Sequence, residues 1–234
     1  MLCIILFVIL VFIGVLGAVT YTYLKEIKSG RGAQLQNTVY SGKSAAGGQQ
    51  ASPVFGSVTV NRADLERSDS PYLGASDAPV TVVEFLDLKC PNCAAAEPIM
   101  RQVIEKYGSK IKLIVRHFPV ESTHPGASGF SEIAWCGQQQ GRFWPVLRYF
   151  FDHQAELPEV LSETDLATLV GATQLDQTSL ARCLATSNAQ TAVNRDYVDG
   201  AKFGVRATPT FFINGEKVEG TIPFAIWENF LKEQ

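Results

Sequence analysis

The 234-residue chain predicts an α/β fold carrying a helical insertion and preceded by a single N-terminal transmembrane helix. Three observations carry that expectation. A strand, a helix and a second strand follow one another from about residue 79 to 118, the pattern of two parallel strands joined by a covering helix. Only helical periodicity appears from about 119 to 190, and a hairpin with a closing helix ends the chain. Residues 2 to 19 are apolar or glycine without a break.

That apolar segment comes first. The first charge is Lys25, and twenty-four residues at about 1.5 Å each make a helix of about 36 Å, enough for a hydrocarbon core of about 30 Å. Tyr21, Tyr23, Lys25 and Lys28 suit the interface beyond it. A cleaved signal peptide is the rival reading, but the run is longer than a usual signal core and no convincing A-x-A site follows. Residues 1–24 are therefore read as a membrane anchor, contacting lipid through 2–24, with Cys3 packed against lipid or, alternatively, acylated.

Residues 25–68 are rich in Gly, Ser, Gln and Ala and read as a flexible tether. Within it, Val54 to Val60 alternates weakly, as a short edge strand or a helical turn would. Six Lys/Arg against three Asp/Glu make this stretch basic, whereas residues 69–234 carry fourteen against twenty. The folded part has no clustered basic surface, which argues against a nucleic-acid partner.

The third segment, 69–234, is the folded domain. A strand is expected at about 79–88, since Val80-Thr81-Val82-Val83-Glu84-Phe85-Leu86 is almost wholly apolar. A helix at 91–107 follows, with Ile99, Val103 and Ile104 continuing its stripe past Pro98, where a kink is expected. Ile111 to Phe118 supplies the next strand. Apolar periodicity at Ile133–Phe151, Thr164–Leu169 and Leu180–Leu184 predicts three or four helices in the insert. Thr210–Ile213, the turn Asn214-Gly215 and Lys217-Val218 predict a hairpin, because Asn-Gly supplies the positive φ that a two-residue turn requires. Pro223 to Leu231 closes the domain with Phe224, Trp227, Phe230 and Leu231 on one face.

The chemistry lies in Cys90-Pro91-Asn92-Cys93, at the join of the first strand and its helix. A helix N-terminus presents unpaired N–H groups and about half a positive charge, so a thiolate at Cys90 is stabilised below the free value of about 8.5. Pro91 suits the first helical position. A CxxC is also half of a zinc site, but no second CxxC or close Cys/His pair supplies the remaining ligands, and His117, His124 and His153 are scattered. No metal is therefore expected.

Three separated blocks in this order resemble the DsbA-like thiol:disulfide oxidoreductases, which have a thioredoxin fold with an inserted helical domain. They are Tyr72-Leu73-Gly74 with Ala78 to Phe85 and Cys90-Pro91-Asn92-Cys93; Gln140-Gly141-Arg142-Phe143-Trp144; and Phe203 to Gly215, containing Thr208-Pro209-Thr210. The resemblance implies that Cys90 is a partly exposed nucleophile and Cys93 the buried resolving thiol. It makes Pro209 a cis proline facing the pair, and gives Thr208 a backbone edge for an extended substrate peptide. Pro91 and Asn92 fall on the substrate side. Glu84 matches the family's buried acid, able to take the proton that Cys93 releases on attacking a mixed disulfide. Lys89 either lowers the thiolate pKa further or only snorkels. Cys136 and Cys183 form a structural disulfide by the same resemblance, or are two buried thiols.

Asn92 departs from the His that many members carry there and brings no positive charge, which implies a less oxidising site. Ala207 replaces a frequent Gly. The function implied is a membrane-tethered, extracytoplasmic, single-pass oxidoreductase that introduces disulfides into proteins bearing cysteine pairs. It would need no bound cofactor and would be reoxidised by a DsbB-like or VKOR-like membrane partner. A reductase or isomerase on the same fold, and a non-catalytic peptide-binding chaperone module, are the alternatives. Lys25, Lys28 and Arg31 favour a cytoplasmic domain by the positive-inside rule, whereas an exposed dithiol and further cysteines favour the oxidising side; the second argument is preferred.

Overall fold

A computed structural model describes residues 54–234. The expected anchor and most of the tether lie outside the described residues. Among those described, no helix is long and apolar enough to cross a membrane.

Six strands form one sheet among the described residues: β1 (Val54–Thr59), β2 (Tyr72–Gly74), β3 (Val80–Leu86), β4 (Ile111–His117), β5 (Thr210–Ile213) and β6 (Glu216–Glu219), in the spatial order β1-β6-β5-β3-β4-β2. Strands β3 and β4 run parallel, with Glu84 beside Val115, and β3 pairs antiparallel with β5, placing Glu84 beside Phe211. Every residue of β3 is buried, as a central strand covered on both faces should be. Its alternation sends Val80 and Val82 into a core with Met100, Val103, Trp227 and Leu231, and Val83 and Phe85 into an opposite core with Ile114, Phe118 and Phe212.

Helix α1 is one turn, Arg62–Leu65, and α2 is Pro91–Tyr107. The latter continues through Pro98, as its apolar stripe predicts. The insert holds α3 (Ala127–Gln138), α4 (Phe143–Asp152), a 3-10 turn (Gln154–Glu156), α5 (Glu163–Thr173) and α6 (Gln177–Leu184). Helix α7 (Asn188–Lys202) leads back to the sheet, and α8 (Phe224–Lys232) closes the domain. The hairpin turn has the expected positive φ at both positions, 49° at Asn214 and 95° at Gly215.

Two expectations need correction. The tether does not run to residue 68: β1 pairs antiparallel with β6, and Leu65 of α1 is buried against Phe85, Phe118 and Phe212, so folded structure begins about fifteen residues before Ser70. Of the two readings of the weak 54–60 pattern, the edge strand is the one found. The insert's apparent end near 190 is also displaced, because α7 runs from 188 to 202 as one helix. Its buried face is Ala189, Ala192, Val193, Asp196 and Gly200, too small and polar to show as an apolar stripe. A side chain at Gly200 would meet the Phe118 ring at 2.7 Å, so glycine sets how closely α7 approaches the sheet. Asp196 and Asp199 of α7 grip the buried Arg116 of β4 at 2.8 and 2.6 Å, which fixes the helix on that face.

Candidate active site

Strand β3 delivers the chain into the turn Asp87-Leu88-Lys89, and Cys90 caps α2 with extended backbone (φ −80°, ψ 121°) and Pro91 next. The turn is built around the buried Asp87. Its carboxylate accepts from the Lys89 N–H at 2.8 Å and the Val120 N–H at 2.9 Å, and pairs with His124 Nδ1 at 2.8 Å. Its carbonyl accepts from the Cys90 N–H at 3.0 Å. On the other side of the motif, the Thr221 hydroxyl donates to the Asn92 carbonyl at 3.2 Å.

Both cysteines are free thiols. The Thr208–Pro209 peptide is cis, and the Cys90 thiol donates to the Thr208 carbonyl at 3.3 Å. Cys90 is accordingly 5 % exposed, against 1 % for Cys93, which corrects the expectation of a partly exposed nucleophile. Pro91 and Asn92 are the exposed members of the motif.

The two thiols are electrostatically unequal. A hydrogen bond from Cys93, the Thr208 side chain and the backbone N–H groups of Cys93 and Asn92 together draw the Cys90 pKa down to about 6, against the opposing effect of burial. Burial foremost, then the adjacent Cys90 and Glu84, push the Cys93 thiol well up. Glu84 is 4 % exposed, and burial, with a smaller contribution from Glu97, raises its pKa to about 8. It is mostly protonated at neutral pH. Glu84 also lines a cavity of about 590 Å³ between α2 and α4, with Glu97, Met100, Trp144 and Leu147 among its walls.

Lys89 takes neither a thiolate-facing nor a merely snorkelling position. Its ammonium donates to the Pro125 and Pro158 carbonyls at 2.7 and 3.0 Å. Cys136 and Cys183 are joined by a disulfide that ties α3 to α6, in the same hydrophobic cluster as Cys90 and Cys93. His117 is buried, and among the described residues neither ring nitrogen has a hydrogen-bond partner; His153 stacks on Tyr149. Among the described residues no group of three or more His, Cys, Asp or Glu is placed to hold a metal ion.

Sequence reasoning thus identified the residues that meet here, Glu84, Cys90, Cys93 and Thr208-Pro209, and overlooked Asp87, His124, Gln154 and Thr221. Asp87 was detectable as an acid closing an apolar strand three residues before Cys90. The other three are brought in by tertiary structure from loops and turns that carry no motif.

The profile of a family described as Thioredoxin matches residues 66–233. Among solved structures, alpha-DsbA1 of Wolbachia pipientis superposes with a TM-score of 0.65 at 21% identity, covering 74% of this chain and 94% of that one. A thioredoxin-like oxidoreductase from Silicibacter pomeroyi DSS-3 gives 0.61 at 22%, covering 74% and 97%. These likenesses establish the shared fold. Among curated relatives, the Na(+)/H(+) antiporter NhaA 3 of Salinispora tropica is 36% identical over 148 residues, which are 63% of this chain and 22% of that protein. NhaA 1 of Mycolicibacterium gilvum is 30% identical over 147 residues, 63% and 24%. The chain therefore spans about a quarter of the length of these relatives.

Proposed function

Since the chain belongs to the thioredoxin family and sets a low-pKa Cys90 against a high-pKa Cys93, we propose that it is a membrane-tethered, extracytoplasmic thiol:disulfide oxidoreductase that introduces disulfides into secreted or surface proteins. The unequal dithiol is the observation that carries this reading. A substrate thiolate attacks Cys90 of the oxidised pair, the Cys90–Cys93 bond breaks, and Cys93 leaves with the electron pair. Glu84, protonated at neutral pH, is the nearby acid that gives the leaving Cys93 its proton. A second substrate thiolate then attacks the substrate sulfur of the mixed disulfide and expels Cys90, whose low pKa makes it a good leaving group. The substrate loses two electrons and two protons, and the enzyme ends as a dithiol. In reverse, Glu84 as carboxylate takes the Cys93 proton.

Substrate peptides lie along the Thr208 edge, over the exposed Pro91 and Asn92. Reoxidation falls to a quinone-linked membrane protein of the DsbB or VKOR type, to which a tether would keep the domain close. The apolar run at 2–19 supports that tether, as does the occurrence of a similar sequence within chains named as Na(+)/H(+) antiporters. Protection of the domain from a bulky maleimide in intact cells would contradict the extracytoplasmic placement.

Trapping tests the mechanism. Cys93→Ser should accumulate mixed disulfides through Cys90, and Cys90→Ser should form none. If Cys93→Ser traps no protein partner while the Cys90 thiol still ionises, the chain is better described as a peptide-binding module than as a redox enzyme.

A further inference from the structure

The segment carrying the first cysteine is laced to the helical insert in both directions. Gln154, opening the 3-10 turn after α4, donates its side-chain amide to the Leu88 carbonyl at 2.9 Å and the Cys90 carbonyl at 3.0 Å. A primary amide has two N–H donors, and both are used here. In the other direction, the Lys89 side chain takes the insert carbonyls of Pro125 and Pro158.

The Cys90 carbonyl is also the first acceptor of α2, receiving the N–H groups of Cys93 at 3.0 Å and Ala94 at 3.1 Å. No side-chain cap holds this end of the helix. The peptide planes after Leu88 and Cys90 determine where the first N–H groups of α2 point, and Gln154 grips both planes from outside. We propose that Gln154 is a positioning residue of the dithiol: by clamping the Leu88 and Cys90 carbonyls it fixes the backbone of the first turn of α2 around the Cys90 sulfur and makes thiol reactivity depend on the insert.

Released from the clamp, the Cys90–Pro91 peptide can tilt, and the orientation of the first N–H groups of α2 relative to the sulfur changes with it. The inference rests on Cys90 being the reactive thiol and adds that an insert residue sets its state.

The test uses the full chain in detergent with Gln154→Ala and Gln154→Met, the latter unbranched, neutral, similar in length and lacking both donors. Cys90 ionisation is followed by thiolate absorbance against pH, alkylation rate is measured alongside, and denaturation is recorded for each protein. Both variants should raise the thiolate midpoint by about half a pH unit or more, equivalent to about threefold less thiolate and slower alkylation on the acid side. If Gln154→Ala does not fold, Gln154→Met alone decides. Variants that fold and retain the wild-type midpoint and alkylation rate, whether or not their stability falls, overturn the proposal. A wild-type protein whose Cys90 ionises like a free thiol would instead overturn the functional reading beneath it.

Discussion

The Cys90 thiol donates to the carbonyl oxygen of Thr208 at 3.3 Å, so the first sulfur of the dithiol and the residue before the cis proline are hydrogen-bonded to each other. That bond exists only while the sulfur is protonated. Loss of the Cys90 proton, by ionisation or by formation of the Cys90–Cys93 disulfide, removes the S–H donor and frees the Thr208 carbonyl, which in the proposed mode accepts from a substrate backbone.

Thr208→Val keeps the backbone carbonyl and removes the hydroxyl that helps to lower the Cys90 pKa. The thiolate midpoint should rise above about 6, and every half pH unit of that rise should lower thiolate reactivity near pH 6 by up to about threefold. Thiolate absorbance against pH measures it directly. An unchanged midpoint would show that the backbone donors and Cys93 account for the activation by themselves.

Glu84 makes a pH-dependent demand on stability. Its folded pKa of about 8 lies above the ordinary value of 4.5, so the native state binds the proton more tightly and stability falls as pH rises from 4.5 through 8. Glu84→Gln should therefore stabilise the protein at pH 7 by on the order of 3 kcal/mol, with little gain below pH 4. It should also slow thiol exchange by removing the proton donor for Cys93. Denaturant titrations at several pH values and single-turnover exchange separate the two effects.

The Cys136–Cys183 disulfide closes 47 residues of chain across the insert. Replacing both cysteines by alanine should cost about 2–4 kcal/mol in stability. The exchange rate of Cys90 should stay within about twofold, since the packing of α3 against α6, not the CxxC turn, loses its restraint. Urea unfolding and alkylation kinetics on the same samples check this.

Arg116 is buried with Asp196 and Asp199 as its charged partners. Asp196→Ala leaves that guanidinium short of charge and strips the acceptor from the His117 N–H, and should destabilise by about 3–5 kcal/mol. Arg116→Met leaves the buried Asp196 carboxylate without its cation and should cost a comparable amount, whereas the double replacement should cost less than the sum of the two. Strictly additive losses would contradict the desolvation argument.

The sheet and the dithiol were legible in the sequence because their signals are local. Val80–Leu86 is apolar but for Thr81 and Glu84, Asn214-Gly215 states its own turn, and Cys90-Pro91 marks a helix start. Helix α7 was not legible as a helix, because its inward face is small and polar and answers to Arg116 and Phe118 on other elements. Strand β1 was half legible for a related reason, since an edge strand's partner, here β6, supplies what its weak pattern lacks. Gln154 was invisible: a lone glutamine in a short turn acquires meaning only when the insert folds back onto Leu88 and Cys90.

The most direct test of an oxidising dithiol is the equilibrium reduction potential of the Cys90/Cys93 pair in the full chain, read by thiol trapping in glutathione buffers. A Cys90 pKa of about 6 stabilises the reduced protein, and increasingly so as pH rises from 6 towards 9, where an unfolded thiol remains protonated. It lies between about 7 in thioredoxin and about 3.5 in DsbA. The account therefore predicts a potential above the thioredoxin value of about −270 mV and below the DsbA value of about −120 mV, nearer the former because the Cys90 pKa is nearer that of thioredoxin. A value at or below about −270 mV would contradict it and assign the chain to disulfide reduction.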